Sequence, residues 1–67
     1  MDLYQLRTLV AVARERSITR AAELLHLSQP AVSAHIKAIE DTLGLTLFDR
    51  TSRGMILTRD GERLLPR

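Results

Sequence analysis

Cysteine and tryptophan are absent from the 67 residues, and Tyr4 and Phe48 are the only aromatic side chains. Without thiols, neither a disulfide framework nor a thiolate zinc site can supplement a small core. A single phenylalanine cannot form the repeated stacking platform of a single-strand binder, so Phe48 is expected as a core plug beneath a hairpin. Long apolar runs are missing too. The longest, Leu9 to Ala13, has five residues, against the roughly 20 that a membrane-spanning helix needs. Met1-Asp2 lacks the basic start and apolar stretch of a secretory signal, which predicts a cytoplasmic location. Glycine is scarce: Gly44, Gly54 and Gly61 read as a helix cap, a turn and a helix start, so there is no phosphate-cradling loop. His26 and His35 stand on different helices without ligand spacing, so no metal site or other cofactor is expected. Ser33 and His35 do not share a helix face, which removes a catalytic triad. An enzyme is therefore not expected.

What is present is aliphatic. Apolar residues make up 45% of the chain, enough for one domain at most. Ten basic residues against eight acidic ones leave a net charge of +2, which permits a nucleic-acid partner without requiring one. Leu3, Leu6, Val10 and Ala13, with Leu9 and Val12 beside them, predict a helix over roughly residues 2–15. Asp2 sits near its positive end and Arg14 and Arg16 near its negative end. Ser17 is the preferred cap of a second helix, because Ile18 then packs at its start, and Ala21-Ala22 lets another helix backbone come close. His26-Leu27 ends that helix, with His26 near its exposed carbonyls. Ser28 opens the third at once, as in a helix-turn-helix.

The third helix is the unusual one. Ser28 is a good N-cap, and Gln29-Pro30 fills the first turn, where a proline costs no hydrogen bond. Val32, Ile36, Ile39 and Leu43 form an apolar stripe that runs to a left-handed cap at Gly44. Pro30, Ser33, Ala34 and Lys37 fall on the opposite side. Exposed helix faces ordinarily carry long charged residues; this one is short and nearly neutral, which suits close approach by another molecule. Leu45-Thr46-Leu47-Phe48 and Met55-Ile56-Leu57 then read as two strands joined by residues 49–54, with Gly54 supplying a positive φ. That loop holds Arg50 and Arg53 with hydroxyls at Thr51 and Ser52, a composition suited to phosphate contact or minor-groove insertion. Thr58 caps a last helix with Asp60 and Glu62 in its first turn. Leu64 and Leu65 lie on a segment too short to bury them, and Pro66 is expected to kink any continuation. The chain is therefore expected to be a fragment of something larger.

The predicted fold is mostly α: a winged helix-turn-helix with a three-helix core, a two-stranded hairpin wing and the start of a fourth, linker helix. Residues 1–58 form the domain, with the helix-turn-helix at about 18–37 and the wing at about 45–57; residues 59–67 begin the linker helix. Ser17-Ile18-Thr19-Arg20-Ala21-Ala22-Glu23-Leu24-Leu25, Leu27-Ser28-Gln29-Pro30-Ala31-Val32-Ser33 and Leu43-Gly44-Leu45-Thr46-Leu47-Phe48-Asp49-Arg50 closely resemble the N-terminal domain of LysR-type transcriptional regulators. The resemblance runs from Leu3 through Glu62 and implies a prokaryotic, sequence-specific reader of double-stranded DNA. It further implies a cytoplasmic, nucleoid-associated homodimer or tetramer acting on two half-sites, with RNA polymerase as a candidate partner and no membrane. A C-terminal domain sensing a small-molecule effector, absent from these residues, belongs to the same expectation.

Residue chemistry and resemblance converge on one set of positions. Gln29, Pro30, Ser33 and Ala34 are expected to read bases: Gln29 at an adenine edge, Pro30 at a thymine methyl, Ser33 as donor or acceptor. Where the family often places a longer polar residue, Ala34 leaves a methyl-sized surface. Arg20, Ser28, His35, Lys37, Arg50, Thr51 and Arg53 are expected on the backbone or in the minor groove. The competing expectation is a winged helix whose small face docks another polypeptide; the arginines of the wing argue against it.

Overall fold

A computed structural model describes residues 1–65 in the order α1 (Leu3–Glu15), α2 (Ile18–Leu25), α3 (Gln29–Leu43), β1 (Phe48–Thr51), β2 (Gly54–Leu57) and α4 (Arg59–Leu64). This is a winged helix-turn-helix. The kink expected at Pro66 lies outside the described residues. Each helix begins on a side-chain cap: the Asp2 carboxylate accepts from the Gln5 N–H in a capping box, and Ser17, Ser28 and Thr58 accept from Arg20, Ala31 and Gly61. The first three end on left-handed residues, Arg16, His26 and Gly44. At His26 the backbone N–H reaches the Ala22 and Glu23 carbonyls.

The core is a single cluster. Leu9 and Val12 of α1, Ala21 and Ala22 of α2, and Val32, Ile36 and Ile39 of α3 meet Leu47, Phe48 and Met55 from the wing. Phe48 is the expected plug at 6% exposure, and Ile18 packs against the cluster at the start of α2. The small pair Ala21-Ala22 is fully buried, which allows the close helix approach its size suggests.

Several positions depart from the periodic reading. Leu3 and Leu6 are 68% and 41% exposed, while Thr8, Leu9, Ala11 and Val12 are the buried residues of α1. The reason is length: α1 is about 20 Å long and the α2 beside it about 12 Å, so only part of the longer helix finds a partner. Leu43, in the last turn of α3, is 38% exposed. Leu65 is half-buried against the core rather than left unburied, although its neighbour Leu64 stays exposed.

The strands also shift. Residues 45–47 are not in the ladder, because their polar groups are engaged elsewhere. The Leu47 N–H donates to Glu40 Oε2 at 2.7 Å, the Leu47 carbonyl accepts from the Thr58 N–H at 2.9 Å, and the Thr46 carbonyl accepts from the Thr58 hydroxyl at 2.6 Å. Pairing starts at Phe48, with Phe48 opposite Leu57, Asp49 opposite Ile56, Arg50 opposite Met55 and Thr51 opposite Gly54. The loop is thus Ser52-Arg53 alone, and Arg50 and Thr51 belong to a strand.

Gly54 has the expected positive φ, +100°, and a second reason to lack a side chain: a Cβ there would strike the Arg16 carbonyl oxygen. The Met55 N–H donates to that same carbonyl at 2.9 Å, tying the wing to the end of α1. Gly61 lies in the first turn of α4, as expected, with its N–H on the Thr58 cap. It is buried inside α4, where a Cβ would strike the Leu47 carbonyl oxygen and the Leu57 side chain. Alanine for glycine within a helix ordinarily stabilises by about 0.5–1 kcal/mol; here overpacking reverses the sign. Gly61→Ala is expected to lose about 1–3 kcal/mol in urea unfolding of the chain.

Candidate nucleic-acid interface

The rotation of α3 follows from which side is buried. With Val32, Ile36 and Ile39 inward, Gln29, Pro30, Ala34 and Lys37 are exposed and Ser33 is half-buried at the edge. Gln29 and Ser33 open onto a hollow shared with Thr19 at the start of α2 and Arg50 on β1. A second, adjoining hollow is lined by Ser33, Lys37, Glu40 and Arg50. Arg50 and Ser33 border both, so recognition helix and wing form the two walls of one cleft. The α3 wall contributes the amide of Gln29, the hydroxyl of Ser33 and the charged ends of Lys37 and Glu40, and β1 contributes the Arg50 guanidinium.

Two exposed cations, Lys37 on the cleft and Arg20 in a separate hollow with Glu15 and Glu23, are weakly held. Arg20 pairs with Glu15 at 3.4 Å and Lys37 with Asp41 at 3.4 Å, with the two cationic side chains 72% and 77% exposed. Such pairs contribute about 0–1 kcal/mol, so an incoming phosphate can replace the carboxylate at little cost. The Ser28 hydroxyl oxygen accepts from the Ala31 N–H at 3.2 Å, leaving its own proton free to donate outward.

Two of the expected backbone residues also make side-chain hydrogen bonds within the chain: His35, which is half-buried, and Thr51, which is exposed. His35 lies on the flank of α3 that meets α1, with Nδ1 2.8 Å from the Thr8 hydroxyl. The Thr8 hydroxyl proton is given to the Tyr4 carbonyl at 3.0 Å, so His35 Nδ1 is the donor of that pair. Thr51 donates its hydroxyl proton to the Gly54 carbonyl at 3.0 Å and accepts from the Arg53 N–H at 3.1 Å. Its role is to shape the wing tip that presents Arg53. The partner of His35 lies twenty-seven positions away across the fold, which a sequence does not show, whereas the partners of Thr51 lie within three residues, inside the turn itself.

Glu40 and Thr19 were missed. The clue for Glu40 is rotational: it falls on the Gln29–Ser33 flank of α3, where a lone acid is out of keeping with its neighbours.

The geometry defines a class: a winged helix-turn-helix, the architecture of DNA-binding domains. Comparison with known proteins gives the family. Residues 3–62 match the bacterial regulatory helix-turn-helix protein, lysR family. The RuBisCO operon transcriptional regulator of Allochromatium vinosum is 52% identical over 64 residues, covering 96% of this chain and 21% of that protein. The HTH-type transcriptional regulator BsdA of Bacillus subtilis is 46% identical over 68 residues, covering all of this chain and 23% of that protein. Among solved structures, the CbnR DBD–DNA complex superposes with a TM-score of 0.91 at 38% identity, covering 97% of this chain and 75% of that one. The BenM DBD/catB site 1 DNA complex gives 0.91 at 41% identity, covering 96% and 72%. The chain therefore belongs to the lysR family of bacterial regulatory proteins, a family of transcriptional regulators and not of enzymes. It spans about a fifth of the length of the first of these curated relatives. Among the described residues no helix is long and apolar enough to cross a membrane.

The Thr8–His35 bond joins the middle of α1 to α3, and Thr8 is only 1% exposed. Thr8→Val keeps the shape and removes the acceptor, so unfolding free energy should fall by about 1–2 kcal/mol, measurable by urea titration.

Proposed function

We propose that this chain reads double-stranded DNA sequence-specifically, with α3 in the major groove and the wing against the adjacent backbone or minor groove. The observation that carries this reading is the shared cleft: Gln29 and Ser33 open onto the same hollow as Arg50. A side-chain-clad helix is about 10–12 Å across and the groove about 12 Å wide, so a helix seats deeply only where its outer residues are small. Pro30, Ser33 and Ala34 meet that condition. Gln29 then reaches a base edge and Pro30 a thymine methyl, while Lys37 on the cleft, and Ser28 and Arg20 outside it, are the phosphate contacts of this reading. Arg53 occupies the two-residue tip of the wing, the part of the hairpin best able to reach past the groove edge.

The DNA complexes of the similar CbnR and BenM domains support this reading. One module of this size buries about 600–1,000 Å² on DNA, which is little for strong discrimination. Two copies on half-sites about one helical turn apart, or multiples of it, are therefore part of the proposal. So is a small-molecule effector bound by a segment beyond these residues, as the regulator family implies.

The deciding experiment is selection of bound duplexes from a random pool, followed by binding measurements across a salt series. Arg53→Ala should weaken binding to all duplexes alike and reduce the slope of log K against log[salt] by about one. An unchanged slope would remove the wing from the interface. Gln29→Ala should cost about 1–3 kcal/mol on the selected duplex and little on scrambled DNA; equal loss on both would show that Gln29 reads no base.

A further inference from the structure

Glu40 occupies a place where a DNA-facing cleft has least use for an acid: it lines the same hollow as Ser33, Lys37 and Arg50. A carboxylate there lowers the positive potential that draws phosphates in. One of its oxygens is nevertheless committed. Oε2 accepts from the Leu47 N–H at 2.7 Å and from the Phe48 N–H at 3.4 Å, the two amides at the root of β1. A hydrogen bond from a backbone N–H to an ionised acceptor is about twice as strong as a neutral one. The second strand is pinned elsewhere, by the Met55 N–H on the Arg16 carbonyl. Beside the core packing of Phe48 and Met55 and the Thr58 bonds to Thr46 and Leu47, the wing thus has two polar anchors, and Glu40 is the one that an α3 side chain supplies. Arg50 follows two residues beyond Phe48 on the anchored strand, and Arg53 stands at the tip just after it.

We propose that Glu40 is a positioning residue for DNA recognition. It locks the wing to the recognition helix, so that Arg50 and Arg53 meet the strand beside the bases that Gln29 and Ser33 face. The proposal rests on the DNA-binding reading above, and Glu40 itself touches no DNA in it.

Two roles for Glu40 predict opposite signs. If it were merely an acid in the cleft, its removal would relieve repulsion and tighten binding. If it is the anchor, removal frees the wing and weakens binding. The test uses the 67-residue chain, a fluorescent duplex taken from the selection, and anisotropy over a salt series, with each variant first shown to be folded by circular dichroism. Glu40→Ala is expected to bind about tenfold more weakly, with a salt slope smaller by about 0.9, the equivalent of one lost phosphate contact. Combined with Arg53→Ala, the loss should be smaller than the product of the two single losses, because both remove the same contact. Glu40→Gln keeps an acceptor oxygen without the charge and should fall between wild type and Glu40→Ala. If Glu40→Ala does not fold at the assay temperature, Glu40→Gln against wild type decides. Unchanged or tighter binding by a folded variant, or fully multiplicative losses with Arg53→Ala, overturns the proposal. Absence of salt-dependent duplex binding by the wild-type chain is a separate outcome, and it overturns the DNA reading itself.

Discussion

Burial of one stripe of α3 is the constraint on which the rest depends. Val32, Ile36 and Ile39 are each 5% exposed or less. Removing such side chains from water stabilises by about 1.5–3 kcal/mol apiece, several-fold more than the Arg20–Glu15 or Lys37–Asp41 pairs on the surface can contribute. Turning α3 by one residue would swing that stripe by about 100° and forfeit most of the gain. The helix therefore has one rotational setting. The small outer face of Pro30, Ser33 and Ala34 is a direct consequence of it.

Polar groups do a different job, that of placing the wing. A two-stranded hairpin is marginal alone, and this one is fastened along its length. Phe48 and Met55 enter the core, Glu40 takes the amides at the root of β1, and the Arg16 carbonyl takes the first amide after Gly54. Gly54 and Gly61 both lack a side chain because neighbouring carbonyls leave no room for one. The cleft that joins Ser33 to Arg50 exists because these contacts bring hairpin and helix to a fixed separation.

The helix starts and stops were legible because they are decided locally. Ser17 and Ser28 each precede an apolar-periodic stretch and Thr58 an acidic first turn, and a capping oxygen satisfies an N–H only three residues on. Gly44 as a left-handed stop is equally local. Strand bounds and the partner of His35 were not legible. Whether Leu45 to Leu47 pair in a ladder depends on Glu40 and Thr58, and where His35 turns depends on Thr8, twenty-seven positions away. Gly61 was legible as part of the first turn of α4, but its packing was not, since Leu47 approaches it from a different part of the chain.

The family, the three-helix core with its wing, and the small polar outer face of α3 are written into the order of residues, because caps, period and side-chain size act over a few positions. The tertiary structure alone decided that Arg50 shares a cleft with Gln29 and Ser33, and that Glu40 fastens one wall of that cleft to the other. Those relations join residues that the chain separates and that only core packing brings together, with hydrogen bonds to buried-end backbone amides holding them at a set distance.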